Sequence, residues 1–420
     1  MSKGYFALSH LVVLIVLATF VPAMPNPAAR FCVGQGNEYL KQLDSDGNEK
    51  GYCMTEKGME DAWDYFDENK DGVLGDSLKP IVPAAQAGLP VDGSGMGIGP
   101  RQELKKELDE TLLGFKSLAV GKTAAASYDL RGAYPLSFDW RSYGGDNWIT
   151  PVKDQMDCGS CWAFAAVGVA EAKINLNLDD SGYGIDLSEQ DLVSCSSAGD
   201  CAGGYEKEAL EYMRDSGIVR ESCFPYVASD SDCNNKCANW SDELVKIDFT
   251  YVPADSAALK DTIANHGPIT AYMIVCSDFS AYTNGIYTAS WEAPCGWHVV
   301  DIVGYDDTSQ CWICKNSWGT GWGESGFFRI AYSESVYDFD AWYNDPDDYS
   351  VFFLDDSYLV TATDIDNDGT WDISDGCPED SNKSLPGQCG CGVADTDTDS
   401  DGTADCVDNC STDPNKTEPG

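Results

Sequence analysis

The residue types best suited to covalent chemistry meet between Gln155 and Phe164, which read Gln-Met-Asp-Cys-Gly-Ser-Cys-Trp-Ala-Phe. Cys161 follows a Gly-Ser turn and stands before an apolar run, ending at Ala172, that favours helix. Unpaired N–H groups and the helix dipole favour the thiolate at a helix N-terminus, and the thiolate is the reactive form of cysteine. We therefore predict a nucleophilic Cys161 in a first helical turn. The alternative is a disulfide to Cys158.

His298 and Asn316 supply the two other groups that a nucleophilic thiol requires. His298 stands near the start of Trp-His-Val-Val-Asp-Ile-Val-Gly-Tyr, a run typical of a buried strand. Asn316 follows a second strand pattern, Cys311 to Lys315. A thiol needs a base to take its proton, and the base needs a group that orients it. We predict these two roles for His298 and Asn316, whereas His266 is predicted only to end a helix. The alternative for His298 is a core residue.

These motifs resemble those of the papain-like cysteine peptidases, from about Ser137 to about Tyr358. Besides the segments already described, the resemblance rests on short motifs spread over this range. They are Phe138-Asp139-Trp140-Arg141, Leu187-Ser188-Glu189-Gln190, Cys201-Ala202-Gly203-Gly204, Gly267-Pro268-Ile269, Asn316-Ser317-Trp318-Gly319 and the segment 321–330. The resemblance implies an α+β class with two lobes, one helical and one β-rich, and a cleft between them.

The resemblance also implies a role for each site residue. Cys161 attacks the scissile carbonyl as a thiolate, and His298 is first its imidazolium partner and then the proton donor to the leaving amine. Asn316 orients the ring, and Trp318 screens that contact from water and lines the substrate site. The Gln155 side chain and the Cys161 backbone N–H form the oxyanion hole, aimed at charge that develops in the transition state.

The resemblance further assigns three substrate-binding positions. Gly203 and Gly204 are expected to let an extended substrate backbone approach closely, as a missing Cβ allows. Tyr272 is expected to narrow the pocket for the second residue before the cut. No histidine-bearing loop follows Cys161, so endopeptidase activity is preferred. The chain departs from the family at Met156 and Asp157, where glycine and a variable residue are common, and at Trp297, where a small or polar residue is usual.

Composition and patterning divide the chain into four parts. The apolar run Leu11 to Val21, too short to span a membrane, predicts a signal peptide. The acidic turn Asp67-Glu-Asn-Lys-Asp-Gly resembles an EF-hand start without its final acid, Leu78 standing there. A solvated turn and a weak calcium site remain open there. The predicted parts are a signal peptide (1–23), a propeptide-like segment with that EF-hand-like turn (24–134), the peptidase domain (135–360) and a repeat tail (361–420).

The cysteines are numerous enough to predict disulfides and therefore an oxidising, secreted or cell-surface location. The peptidase region holds eleven, and setting Cys161 aside leaves an even number, which makes it the expected unpaired thiol. Cys32 and Cys53 are expected to pair within the propeptide-like segment. The family resemblance implies a Cys158–Cys201 bridge and a bridge from Cys195 to Cys233 or Cys237.

The tail contains an acidic repeat with an offset of 33 residues. Carboxylates at loop positions 1, 3, 5, 9 and 12 with glycine at position 6 suit a calcium shell, and the repeats resemble thrombospondin type 3 calcium-binding repeats. The alternative is a disordered acidic tail, since residues 361–420 carry 15 acids against 2 bases. The predicted ligands are Asp364, Asp366, Asp368, Asp372 and Asp375, and then Asp397, Asp399, Asp401, Asp405 and Asp408.

The formal net charge of −44 disfavours nucleic-acid binding, because no basic patch is present to neutralise phosphates. The sequence predicts a secreted cysteine endopeptidase, made as a zymogen, that acts on proteins or peptides. It needs no cofactor for catalysis, carries calcium in its tail and has no membrane span. The tail is expected to offer a surface to a cell-surface partner. Two alternatives stay open: a calcium-dependent surface adhesion protein with a non-catalytic peptidase-like domain, and another Cys-His acyl transferase.

Overall fold

The computed structural model describes most of the chain between residues 23 and 417. The predicted signal peptide therefore lies outside the described residues except for Ala23. Residues 71–133 of the propeptide-like segment also lie outside them. The described residues are 23–70, 134–242, 244–291, 295–338, 350–354, 357–361, 363, 366, 368, 370–371, 375–378 and 380–417.

Residues 23–70 form a small folded unit, called the N-terminal module below. Asn26 caps its first helix by accepting hydrogen bonds from the N–H groups of Ala28 (2.9 Å) and Ala29 (3.3 Å). The edge of Phe31 packs against Phe66, and the expected Cys32–Cys53 disulfide is present. The elements are α1 (Pro27–Gly34), β1 (Glu38–Leu43), β2 (Glu49–Thr55), β3 (Gly58–Asp61) and α2 (Ala62–Asn69), the strands forming an antiparallel sheet.

The acidic stretch at the end of this module is helical where it is described. Asp67 and Asn69 lie in α2, Asp67 forms an exposed ion pair with Lys70 at 2.6 Å, and the Asn69 side chain donates to the Tyr65 carbonyl. The remaining positions of the EF-hand-like turn, Asp71 to Leu78, lie outside the described residues.

The first part of the peptidase region is mainly helical. The predicted helix after Cys161 is confirmed and runs to Asn177, and its side chains are almost all buried. The elements of this part are β4 (Ser137–Asp139), a 3₁₀ turn (Tyr143–Gly145), α3 (Cys161–Asn177), α4 (Glu189–Cys195), β5 (Gly199–Asp200), β6 (Gly203–Gly204), α5 (Glu206–Asp215) and two 3₁₀ turns (Cys233–Asn235, Trp240–Asp242).

The second part is built on a nine-stranded sheet with the order β11-β10-β9-β8-β13-β12, to which β14, β7 and β4 add at the sides. The two strands predicted around His298 and before Asn316 are confirmed as β9 and β10, and α3 packs against β9. The elements are β7 (Asp248–Tyr251), α6 (Ser256–Asn265), β8 (Ile269–Cys276), α7 (Ser277–Ser280), β9 (Cys295–Asp306), β10 (Cys311–Lys315), β11 (Phe327–Ala331), a 3₁₀ turn (Tyr332–Glu334), β12 (Ser335–Val336), β13 (Phe352–Phe353) and β14 (Tyr358–Thr361).

The mixture of separate helical and sheet parts gives the α+β class that the sequence predicts. His266 ends α6, as expected. Within the described residues, no helix is both long enough and apolar enough to cross a membrane.

The disulfides agree with the predictions, with one exception in the count. Cys158 pairs with Cys201, and Cys195 pairs with Cys233 rather than Cys237. Two further bonds, Cys223–Cys237 and Cys276–Cys295, complete the peptidase region.

The expectation that Cys161 is the sole unpaired thiol of this region is wrong. Cys311 and Cys314 are also free and buried. Three residues of strand span ~10 Å, too far for the two to bond to each other without a backbone change.

Two disulfides, Cys377–Cys391 and Cys389–Cys406, tie the tail together. The fifth tail cysteine, Cys410, takes part in neither bond.

Candidate active site

Cys161 is the first residue of α3, as predicted, and forms no disulfide. The residue before it, Ser160, makes no side-chain cap; its hydroxyl instead shares a 2.6 Å hydrogen bond with the hydroxyl of Tyr226. The N–H groups of the first turn of α3 therefore donate no hydrogen bond to this side chain. They point toward the N-terminal end of the helix, where Cys161 lies.

His298 lies on β9 and is fully buried. Its Nε2 lies 2.7 Å from Oδ1 of Asn316, and the same oxygen accepts the Ser317 backbone N–H at 2.8 Å. Because that oxygen only accepts, Nε2 carries the proton in the neutral ring, and Nδ1 is left as the basic atom. Nδ1 has no hydrogen-bond partner among the described residues. The Trp318 ring lies over the imidazole with the centroids 4.9 Å apart.

Gln155 is buried and held from three directions. Its Oε1 accepts from the Ser317 hydroxyl at 2.7 Å, and its backbone carbonyl accepts from Tyr226 at 2.8 Å. Its Nε2 donates to the Cys158 carbonyl at 2.8 Å. These bonds fix the amide so that the second Nε2 hydrogen faces the site. The acceptor of that hydrogen is the carbonyl oxygen of Met24, at 3.1 Å.

Residues 23–26 lie at the site between the helical part and the sheet part. The Ala23 N–H donates to the Ala202 carbonyl at 3.0 Å on the helical side, and the Met24 N–H donates to the Trp297 carbonyl at 2.9 Å on the sheet side. Nothing in the sequence reasoning anticipated this segment at the site. The pair Asn26-Pro27 predicts the start of a helix, but it does not predict which part of the protein that helix packs against.

Asn26 anchors this segment in a buried polar network. Its backbone N–H donates to the Met156 carbonyl at 3.0 Å, and its Nδ2 donates to Oδ1 of Asp154 at 2.8 Å. The second Asp154 oxygen accepts from the Tyr39 hydroxyl. Met156 adopts a φ of 54°, a conformation more usual for glycine. Met156, one of the three residues that depart from the family pattern, is thus the one whose backbone carbonyl accepts the Asn26 N–H.

The module covers the Trp318 side of the site as well. Trp63 of α2 donates its indole N–H to the Trp318 carbonyl at 3.2 Å, and its ring lies 6.0 Å from that of Trp318. Glu49 contributes further: its N–H donates to the Val152 carbonyl at 2.7 Å, and its carbonyl accepts from Thr320 at 2.8 Å. The docked module thus covers the residues predicted to be catalytic, and Cys161 and His298 are fully buried.

Burial changes the ionisation expected of the catalytic pair. Desolvation raises the pKa of the Cys161 thiol to about 12, although nearby backbone N–H groups of Val299 and Trp162 act in the opposite direction. Desolvation also lowers the pKa of His298 to about 4, and the hydrogen bond to Asn316 opposes this only in part. In this closed structure burial therefore favours the neutral thiol and the neutral imidazole over the thiolate–imidazolium pair that the resemblance implies.

The three expected substrate-binding residues lie on two elements, the glycines on β6 and Tyr272 on β8. A Cβ on Gly204 would lie 2.5 Å from the Trp162 ring, so this glycine is required by packing on α3 as well as by any approaching backbone. Gly203 has a φ of 147°. Tyr272 lies on β8 and is buried, with its ring edge-on to that of Trp297 and the ring centroids 6.5 Å apart.

A buried ionic cluster beneath α3 was missed by sequence reasoning. Lys153 Nζ lies 3.0 Å from Glu171 and 2.9 Å from Glu189, and Thr150 donates to Glu171 at 2.6 Å. Lys315, which precedes Asn316, donates to Thr150 at 3.3 Å. This cluster links α3, α4 and β10, the elements that carry or support the catalytic residues. Residues widely separated in sequence compose it, so no local pattern discloses it.

In the tail, some of the predicted calcium ligands come together. One group contains Asp366, Asp368 and Asp375; within each group the ligand oxygens lie within 4.8 Å of one another. Asp364 and Asp372 lie outside the described residues. The second group contains Asp397, Asp399 and Asp401.

Asp405 and Asp408 do not join the second group. Asp405 instead accepts from the Thr398 backbone (2.9 Å) and hydroxyl (2.6 Å). Asp408 is buried and accepts from the Cys410 backbone at 2.7 Å.

Comparison with known families assigns two regions of the chain. Residues 134–341 match the family described as Papain family cysteine protease, and residues 23–69 match one described as Domain of unknown function (DUF333). The chain therefore carries a papain-family cysteine peptidase domain, preceded by a module of a second family that covers the docked residues.

Several proteins are similar over this region. Pro-cathepsin H of Mus musculus is 36% identical over 222 residues, 50% of this chain and 64% of that protein. Cysteine endopeptidase Rep1 of Oryza sativa subsp. japonica is 38% identical over 214 residues, 49% of this chain and 55% of that protein. The structure of digestive procathepsin L2 proteinase from Tenebrio molitor larval midgut has a TM-score of 0.45 and 26% identity, covering 64% of this chain and 95% of that one.

The chain thus spans less than two thirds of the length of these two curated relatives. The sequence matches support an enzyme of the cysteine endopeptidase type.

Proposed function

We propose that this chain, which carries a papain-family cysteine peptidase domain, is a secreted cysteine endopeptidase made as a zymogen. The observation that carries the proposal is the joint placement of Cys161 at the start of α3 and of His298 in contact with Asn316 on the adjoining sheet. A catalytic role for these residues, with Gln155, is the simplest use of that arrangement.

The chemistry follows from these positions once the site is open to water. The Cys161 sulfur attacks the carbonyl carbon of a peptide bond, and its proton passes to Nδ1 of His298. The electron pair moves to the carbonyl oxygen, where the Gln155 amide and the Cys161 N–H stabilise it. Collapse breaks the C–N bond, and the amine leaves with the proton from His298. Water then hydrolyses the thioester and restores the thiol.

The zymogen part of the proposal rests on the burial of the site. Cys161 and His298 are each fully buried, and the groups that bury them include residues 23–26 and Trp63. A protein substrate has no route to the sulfur in this arrangement. Activation therefore requires that the module leave the site, after cleavage between residues 71 and 133 or by opening.

The decisive test is labelling with a peptidyl epoxide, an electrophile that alkylates an active-site thiol. We expect the matured protein to be labelled at Cys161 and to hydrolyse a protein substrate. Both properties should be lost in Cys161→Ser and kept in Cys311→Ser, a matched variant at another buried free thiol. Matured protein that is folded, reduced and yet unlabelled would favour the adhesion alternative. Crosslinked products instead of new peptide ends would favour the acyl transferase alternative.

We propose that calcium binds the two carboxylate groups of the tail. The support is chemical: oxygen-only donors in two clusters suit a hard divalent ion, and Asp375 of the first group and Asp399 of the second each have one buried side-chain oxygen without a hydrogen-bond partner. Calorimetric titration of the full chain with calcium should show binding that Asp397→Asn with Asp401→Asn weakens. Asp413→Asn, outside both groups, should leave it unchanged. Equal binding by all three proteins would contradict the assignment.

Location and partners follow from the same features. The disulfides suit an extracellular protein, so we propose secretion, with the acidic tail available to a cell-surface partner. Protein or peptide substrates suit the peptidase domain.

A further inference from the structure

We propose that residues 23–26 are an internal inhibitor that occupies the catalytic site in the direction of a substrate, with the Met24–Pro25 bond in the place of the bond to be cut. This inference rests on the proposed function and states how the unprocessed chain is kept inactive. It requires that the signal peptide be removed before Ala23, because the Ala23 N–H is one of the contacts that hold the segment.

The first argument is the position of the Met24 carbonyl. Its oxygen accepts from Nε2 of Gln155 at 3.1 Å, the donor proposed to stabilise the oxyanion. The Met24 N–H is bound on the other side, by the carbonyl of Trp297, the residue before His298. A residue whose N–H and carbonyl are held at these two points presents its carbonyl carbon to the catalytic groups.

The second argument is the direction of the chain on either side of Met24. Upstream, the Ala23 N–H bonds to Ala202, next to Gly203. Downstream, Asn26 bonds to Met156 and its side chain reaches the Trp318 carbonyl at 3.4 Å. The segment thus runs from the glycine pair, where the acyl side of a substrate is expected, toward Trp318 on the leaving-group side. A peptide substrate would run the same way.

The third argument is the chemistry of Pro25, which is buried. Proline restricts the preceding residue to extended conformations, so Met24 is held in the form that the site accepts, and less entropy is lost on binding. If Cys161 attacked, the sulfur–carbon bond would form and the Met24–Pro25 bond would break. The thiol proton would pass through His298 to the Pro25 nitrogen.

The leaving group cannot depart, which makes that step unproductive. Pro25 is followed directly by Asn26, held by Met156 and Asp154, and the Cys32–Cys53 disulfide ties the module behind it. A tethered amine stays next to the thioester at a high effective concentration, so resynthesis of the bond competes with hydrolysis. The segment therefore behaves as a bound, uncleaved substrate.

Two variants of the full chain test this. Asn26→Ala removes the anchor at Asp154 and the cap of α1, and should raise the rate of Cys161 labelling by a peptidyl epoxide about tenfold or more. Asn37→Ala is the matched control, because among the described residues this side chain bonds only to Tyr65, which lies within the module, and it should label like the unaltered chain. Tyr39→Phe removes one hydroxyl from the same network and gives a milder second test if Asn26→Ala fails to fold.

Pro25→Ala combined with Asn26→Ala tests whether the segment lies in the direction of a substrate. The first change supplies a secondary amide and the second releases the tethered amine, so the chain should cut itself after Met24, giving a new chain start at position 25 by N-terminal sequencing. The same two substitutions with Cys161→Ala should leave the chain intact. A folded chain with both substitutions that remains uncut, or an Asn26→Ala chain that labels no faster than Asn37→Ala, would overturn the inference. Failure of the matured protein to label at all would instead reject the proposed function.

Discussion

The two regions that flank the peptidase domain are stabilised in opposite ways. The N-terminal module has an apolar core in which Phe31, Cys53 and Phe66 are at most 2% exposed, and it docks through direct, buried hydrogen bonds. Among the described residues of the tail, the buried apolar side chains are those of Cys377 and Ala404, and the acids Asp375 and Asp408 are buried as well. The module is stabilised mainly by the burial of apolar side chains. The tail is stabilised by its disulfides and by neutralisation of its carboxylates.

The difference indicates how each region would respond to its surroundings. Burial is insensitive to ions, so the module should hold the catalytic site at any calcium concentration. Carboxylates drawn together repel each other unless a cation is present, so the tail should depend on calcium. The labelling rate of Cys161 should therefore depend on the docking of the module alone, and calcium should affect the stability of the tail alone.

The largest expected effect concerns the reactivity of Cys161 under the module. A pKa of about 12 instead of the ordinary 9.0 lowers the thiolate fraction at neutral pH about 1,000-fold. Iodoacetamide should thus modify Cys161 in the unprocessed chain very slowly, with a rate that rises about tenfold per pH unit between pH 7 and 10. After maturation the rate at pH 7 should be far higher. Peptide mass mapping measures both rates, and equal rates would contradict the closed, neutral site.

The next effect concerns Trp63, whose ring packs against Trp318 and Trp322. Trp63→Ala should destabilise the docked module by about 3–5 kcal/mol. The labelling of Cys161 in the unprocessed chain should become faster, by at most the factor that this free energy corresponds to at about 1.4 kcal/mol per tenfold. Trp371→Ala, at a tail tryptophan that is 37% exposed, is the matched control and should not change labelling. A folded Trp63→Ala chain with unchanged labelling would show that docking does not depend on this contact.

Removal of the Cys32–Cys53 disulfide of the module can be compared with removal of a disulfide of the tail. Replacing Cys32 and Cys53 together by Ser should destabilise the module by about 3 kcal/mol, mainly through the entropy of the unfolded chain. Labelling of Cys161 should increase. The same pair of changes at Cys389 and Cys406 in the tail should leave labelling unchanged. If both double variants label alike, the module and the tail do not act separately.

The smallest effect is that of calcium. Calcium at a hundredfold excess over its dissociation constant should stabilise the tail by about 2.7 kcal/mol, seen as slower amide exchange around Asp397 to Asp408. A chelator should reverse this while leaving Cys161 labelling as it was. A calcium-dependent labelling rate would mean that the two flanks communicate through the peptidase domain.

Much of the catalytic constellation could be predicted from the sequence because its members lie in strongly patterned local segments. The apolar run after Cys161 is long enough to specify a helix, and the β-branched run after His298 specifies a strand. The pairing of thiols was predicted less well. Parity made Cys161 the sole free thiol, but Cys311 and Cys314 lie too far apart along one strand to bond with each other, and neither forms a disulfide with another described cysteine.

The sequence by itself determined the types and order of the candidate catalytic residues and the acidic repeat, since each depends on spacing along the chain, and its family resemblance implied the α+β class. Only the tertiary structure decided that the Met24 carbonyl meets Gln155, that Asn26 reaches Asp154 and that Trp63 covers Trp318. These contacts join residues more than 100 positions apart. They also set the charge of the site, because ionisation depends on which groups exclude water from Cys161 and His298.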